Sequence, residues 1–233
     1  MADKLLFVVT STGKLGDTGR NTGVHFEELA TPYWILTDAG YRVDIASTAG
    51  GEAPIDNLKA RGENPESVER FLDDQHAMDK IRLTKRLDAV RAEDCVGVYL
   101  PGGHGTMWDF PHDERLGALL ARAFEQGKPV AAVCHGPAGF VGTRLSDGKP
   151  LVEGRRVNCF SDAEGAHVEL DGVVPFLLES KLRELGGKVE TADKFEAIVV
   201  EDGNLLTGQN PASAKPLADK LVEKLQARTA AAA

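Results

Sequence analysis

The sequence predicts a doubly wound α/β fold, a mostly parallel sheet with helices on both faces. Three observations predict it. Strand and helix signals alternate along the 233 residues. The strand signals are short unbroken apolar runs, as expected of strands buried on both faces. One of these runs ends at Cys134, directly before a turn and a small-residue segment that opens a helix.

The elements follow in order. Residues 5–9 are apolar and form the first strand; the run is too short for the apolar core of a signal peptide. Residues 11–23 are a polar, turn-rich loop. Residues 24–38 have helical spacing at Phe26, Leu29, Tyr33 and Leu36, with Gly40 as a stop, and Pro32 predicts a kink or a break inside. Residues 43–46 are a second strand. Residues 64–91 are charged and helical, with Val68, Phe71, Leu72, Ile81, Leu83, Leu87 and Val90 as apolar positions, and read as an insertion. Residues 96–100 are a third strand closed by Pro-Gly-Gly. Residues 113–127 are a helix with Leu116, Leu119, Leu120 and Phe124 on one side, and residues 130–133 are the strand that ends at Cys134. Residues 157–160 read as a strand and 176–185 as a helix ended by Gly186-Gly187. Residues 198–200 and 205–206 flank Asp202-Gly203-Asn204, a hairpin turn. Residues 211–225 close the chain as a helix with Pro211 in its first turn. No repeat or linker divides the chain, so it reads as one domain over 1–229 with a flexible tail at 230–233.

Composition narrows the function. Lys and Arg number 27 against 36 Asp and Glu, a net charge of −9, and no basic patch carries interleaved aromatics. That argues against nucleic-acid binding and against an anionic membrane surface. No apolar run reaches membrane-spanning length. Cys95, Cys134 and Cys159 are odd in number and far apart, which suits a reducing compartment and a cytoplasmic protein. No His/Cys spacing suggests a metal site, and no phosphate-loop pattern suggests a nucleotide.

Four strand-end loops carry the chemistry, where ligands bind in sheets of this kind. At Cys134-His135-Gly136 a nucleophile stands on a strand-to-helix turn, with strained backbone expected. The following helix N-terminus is expected to favour a thiolate and lower the Cys134 pKa. His135 is a candidate acid/base or N–H donor. After the third strand, the Gly103 and His135 N–H groups form a candidate oxyanion hole; His104, Gly105 and Trp108 are candidates for substrate contact. At the first helix start stand His25, a candidate pocket residue, and Glu27 and Glu28, either of which equally serves to compensate the helix dipole. The loop Phe160-Ser-Asp-Ala-Glu-Gly-Ala-His-Val-Glu169 offers an acid to orient His135.

Together these segments resemble the ThiJ/PfpI superfamily, the class I glutamine-amidotransferase-like fold, in its glutathione-independent glyoxalase III and heat-shock-protein-31-like branch. The resemblance rests on Thr22-Gly23 with Glu28, Pro101-Gly-Gly-His-Gly-Thr106, Ala131-Ala-Val-Cys-His-Gly-Pro137, Val174-Pro-Phe-Leu-Leu-Glu179 and Leu206-Thr-Gly-Gln-Asn-Pro-Ala-Ser213. It implies a flavodoxin-like sandwich, a Cys134 nucleophile, a protonated Glu28 hydrogen-bonded to the thiolate, and His135 beside it. It also implies a homodimer, no cofactor, and a small aldehyde substrate such as methylglyoxal, turned into a 2-hydroxy acid through a Cys hemithioacetal. One departure stands out. Where the branch places a carboxylate to orient the histidine, this chain has Gly165, with Glu164 one residue earlier as the candidate replacement. The alternatives on the same fold are a holdase chaperone of unfolded clients, a thiol redox sensor, and a small-amide Cys hydrolase.

Overall fold

The computed structural model describes residues 3–232. Its main sheet contains β1 (Lys4–Val9), β2 (Arg42–Ser47), β3 (Lys85–Arg86), β4 (Gly97–Leu100), β5 (Val130–Val133), β6 (Val199–Asp202) and β7 (Leu205–Gly208). The order across the sheet is β6-β7-β5-β4-β1-β2-β3. Every neighbouring pair is parallel except the β6–β7 hairpin. This is the doubly wound flavodoxin-like sandwich the sequence implies.

The unbroken apolar run of β1 serves two cores, because successive side chains point to opposite faces. Leu5, Phe7 and Val9 pack with Phe26, Leu29 and Leu36 of α1 (Phe26–Asp38), with Phe71 of α2 (Glu66–Asp73) and Ile81 of α3 (Gln75–Arg82), and with Leu217 and Leu221 near the carboxyl terminus. Leu6 and Val8 pack on the opposite face. Their layer holds Met107 of α4 (Thr106–Asp109), Leu116 and Leu120 of α5 (Glu114–Glu125), Phe140 of α6 (Ala138–Val141) and Leu182 from the carboxyl-terminal part of the chain. Phe7 and Tyr99 are fully buried with ring centroids 4.6 Å apart, and burying a ring of this size stabilises the fold by about 2–3 kcal/mol.

Five expectations are revised. Residues 64–91 are not one charged helix: Asp74 separates α2 from α3 and caps α3 by accepting from the Ala77 N–H at 2.9 Å. The segment then returns to the sheet, where Lys85 and Arg86 pair with β2 as a short charged edge strand, a protected edge. Pro32 does not break α1, which runs through it. A proline there leaves the carbonyl four residues back without its helical N–H; that carbonyl belongs to Glu28, and the Tyr99 hydroxyl donates to it instead at 3.2 Å. Val24 and His25 precede α1 as a two-residue ladder against Ile55–Asp56. Of residues 157–160 only Val157 joins a ladder, in which Arg156–Val157 pairs with Lys188–Val189 outside the main sheet. The remaining helices are α7 (Asp162–His167), α8 (Leu178–Glu184) and α9 (Ala214–Ala232). Helix α9 runs on through 230–232, where a tail was expected; position 233 lies outside the described residues. Among the described residues no helix is long and apolar enough to cross a membrane.

Candidate active site

The carboxyl ends of β1, β4 and β5 point at one crevice, and the predicted loops meet there. Cys134 follows β5 with φ +57°, a left-handed conformation that costs a non-glycine residue about 1–2 kcal/mol. The turn is pinned on both sides. The Cys134 N–H donates to the Gly208 carbonyl at 2.9 Å, and its own carbonyl accepts from the Phe160 N–H at 2.8 Å. This is the strained elbow that the sequence predicts. The side chain is almost wholly enclosed, 4% exposed.

Glu28 reaches the same point from the first turn of α1. It is fully buried; its Oε2 accepts from the Gly102 N–H at 2.8 Å, while Oε1 has no hydrogen-bond partner among the described residues. Gly102 fits only as glycine, since a Cβ there would stand 2.7 Å from both Glu28 Oε2 and the His135 nitrogen. Burial pushes the Glu28 carboxyl up to about 8, so it holds its proton at neutral pH.

The Cys134 thiol corrects the sequence reading. Burial pushes it well above the ordinary thiol range, and the Glu28 carboxylate pushes it further. The N–H groups of His135 and Gly103 pull the other way by facing the sulfur. No long helix dipole helps: α6 has only four residues and starts at Ala138. With Glu28 protonated the like-charge opposition is absent, and the acid becomes a donor facing the sulfur.

His135 stands with Nδ1 3.4 Å from Cys134 Sγ. Its ring is stacked against His104 at 4.3 Å and Phe160 at 4.6 Å between centroids. Burial and then the neighbouring His104 and His25 drive its pKa well down, so it is neutral. Glu164 does not orient it. Both Glu164 oxygens are occupied elsewhere: Oε2 closes the Ser161 capping box of α7, and Oε1 accepts from the Phe195 N–H and Asn210 Nδ2, each at 2.9 Å. Asp162 and Asp171 border a cavity of about 20 Å³ that also touches His135 and Gly165, without bonding to the ring. The shift of the acid by one residue is therefore not absorbed by the loop.

A cavity of about 280 Å³ opens over Cys134. Gly103, His104, His135 and His25 line it as the sequence suggested, with Phe160 and Phe195 forming an apolar wall. His25 and His104 are both lowered by burial, His25 to about 4. Two candidates fall outside the cavity lining: Trp108 lies against Gly16 on the second core, and Gly105 sits at the start of α4 against Thr10 and Thr12. Sequence reasoning missed Tyr99, Gly102, Arg20 and Asp56. Arg20 and Asp56 stand at the rim, and neither carries a local motif. Cys95 and Cys159 are buried and free, as expected.

Fold and site together define an α/β protein with an elbow cysteine paired to a buried protonated acid. The family model described as the DJ-1/PfpI family matches residues 21–224, and the chain belongs to that family. It is 30% identical to the glutathione-independent glyoxalase hsp3101 of Schizosaccharomyces pombe, over 96% of this chain and 96% of that protein. It is 28% identical to the protein/nucleic acid deglycase HchA of Staphylococcus aureus, over 94% of this chain and 76% of that protein. Among solved structures it resembles the Rapid Encystment Protein 24 KDa of Francisella tularensis with a TM-score of 0.91 and 31% identity, covering 96% of this chain and 99% of that one. Glyoxalase III from Candida albicans shares the fold with a TM-score of 0.86 at 24% identity, covering 95% and 96%.

Proposed function

We propose that this protein converts small α-oxoaldehydes to 2-hydroxy acids without glutathione or another cofactor, with Cys134 as nucleophile. The observation that carries the reading is the juxtaposition of a strained, buried thiol with a protonated Glu28 and two N–H groups, at the floor of a cavity that admits a small molecule. The relatives named as glutathione-independent glyoxalases support it.

In this reading the sulfur adds to the aldehyde carbon, and the thiol proton passes by way of Glu28 to the new oxygen, giving a neutral hemithioacetal with Glu28 still protonated. The Gly103 and His135 N–H groups stabilise the charge as it develops. Glu28 then releases its own proton to solvent, removes the hydrogen from the former aldehyde carbon as a carboxylate, and delivers a proton to the adjacent carbon through an enediol; it regains its proton from solvent at the end of the cycle. Hydrolysis of the resulting thioester releases the 2-hydroxy acid and restores the thiol. An amide hydrolase is supported less well. A leaving amine needs a proton from an imidazolium, and burial keeps His135 neutral with no carboxylate bonded to it among the described residues.

The test is lactate formation from methylglyoxal in glutathione-free buffer, for the wild type beside Cys134→Ala and Glu28→Gln. Turnover in the wild type and its loss in both variants is expected. Turnover that survives Cys134→Ala would remove the nucleophile from the scheme.

A further inference from the structure

Glu28 has no direct route to solvent. Its side chain is fully buried, its Oε2 is held by Gly102, and only Oε1 is free to give or take a proton. A carboxyl with no exposed surface exchanges its proton with water only through another group.

One group stands in the right place. His25 Nδ1 lies 3.9 Å from Glu28 Oε1, three residues back at the start of α1. Both atoms are buried and neither has a hydrogen-bond partner among the described residues. The backbone fixes the ring's origin: the His25 N–H donates to the Gly102 carbonyl at 3.1 Å, and the residue pairs with Asp56 in the short ladder ahead of the helix. The His25 side chain is 14% exposed and lines the cavity over Cys134. The two polar atoms that lack partners therefore face each other, and one of the two residues borders the cavity.

We propose that His25 is the proton relay between Glu28 and the cavity. Glu28 Oε1–H passes its proton to His25 Nδ1 once the ring swings in from 3.9 Å to hydrogen-bond distance, and the ring releases the proton on Nε2 to cavity water. The reverse passage recharges Glu28, with a proton entering at Nε2 and the Nδ1 proton returning to Oε1. No bond other than N–H and O–H changes, and no oxidant or co-reactant is needed. The charged and titratable neighbours are compatible with this. Asp56 favours the transient imidazolium, His104 opposes it, and burial keeps the resting ring neutral and able to accept. A proton parked on Glu28 during the enediol stage is then exchangeable, and product formed in heavy water carries solvent deuterium on the carbon that Glu28 protonates.

This proposal rests on the α-oxoaldehyde reading, and one experiment separates the two. Methylglyoxal is turned over in D2O, and the lactate is read by NMR for deuterium at the hydroxyl-bearing carbon. The wild type is expected to give mostly deuterated lactate, and His25→Phe to lose most of that deuterium and carry the substrate's own hydrogen across. His25→Gln, which keeps size and polarity but cannot relay, is the second variant and is expected to behave as His25→Phe. Wild-type lactate that retains protium overturns the relay without any variant, as does equal deuterium in the wild type and in both variants. Absence of lactate from the wild type overturns the reading itself, and the relay with it.

Discussion

Replacing Glu28 by glutamine isolates the cost of burying an acid beside the nucleophile. The folded carboxyl is raised from 4.5 to about 8, mainly by burial. Below about pH 4.5 the folded and unfolded chains both hold this proton, and the group adds nothing to the pH dependence. Above it the unfolded chain ionises while the folded chain does not, so stability falls by about 1.4 kcal/mol per pH unit until the folded group also ionises near pH 8. The sign is thus a loss of stability as pH rises through this window. Between about pH 5 and about pH 8 the loss comes to roughly 3–4 kcal/mol. In the Glu28→Gln variant the side-chain amide oxygen would keep the bond from the Gly102 N–H and the group would not titrate. The difference between the two proteins therefore cancels the ionising groups that do not sense Glu28; Cys134 and Tyr99, which do, are both raised well above their ordinary values. Urea unfolding of both at the two pH values reads it directly: the wild type is expected to lose roughly 3–4 kcal/mol relative to Glu28→Gln on going to the higher pH. A difference that stays constant, or that changes in the opposite direction, would refute a protonated Glu28 and the chemistry built on it.

Two further outcomes follow from groups whose partners lie far away in the chain. Tyr99→Phe removes the donor that replaces the helical N–H missing at Pro32, leaves the Glu28 carbonyl buried and unpaired, and is expected to lower stability by about 1–3 kcal/mol in denaturant unfolding. Glu164→Ala breaks the capping box, orphans the Phe195 N–H and takes one of two acceptors from the Asn210 amide, which keeps the Glu196 carbonyl, with an expected loss of about 2–4 kcal/mol. In the folded variant the alkylation rate of Cys134 by iodoacetamide is expected to match the wild type, and a large drop would return Glu164 to the nucleophile's machinery.

What could be read in the sequence was whatever local pattern determines. The apolar runs of β1, β4 and β5 and the turn after Val133 located the elbow, because burial on two faces and a tight strand-to-helix turn each leave a local signature. The glycine pair after Leu100 marked the oxyanion side for the same reason. What failed depended on contacts across the chain. Pro32 reads as a break because the sequence does not reveal that Tyr99, 71 positions from Glu28, supplies the missing donor. Glu164 reads as a partner for His135 because the resemblance implies a carboxylate one position later, at Gly165; its carboxylate is instead consumed by Ser161, Phe195 and Asn210. A helix N-terminus after Cys134 predicts a lowered thiol pKa; in the fold that helix is a single short turn and burial dominates.

These pKa directions share a consequence. In and beneath the cavity lining, burial raises Glu28 and Cys134 and lowers His25, His104 and His135, so all five side chains are uncharged at neutral pH. Five ionisable groups packed together would be costly if charged, and neutrality is what makes so dense a site compatible with a stable core. It also sets what the site can attract. The uncharged floor and the Phe160 and Phe195 wall support the proposed small, uncharged carbonyl substrate, while Arg20 and Asp56 are the charged residues of the lining. In the proposed reaction charge is created only once such a compound is bound, when the thiol proton passes by way of Glu28 to the new oxygen beside the Gly103 and His135 N–H groups that face the sulfur. Nucleophilicity here is therefore a property of the pair acting on a bound substrate, rather than of a standing thiolate.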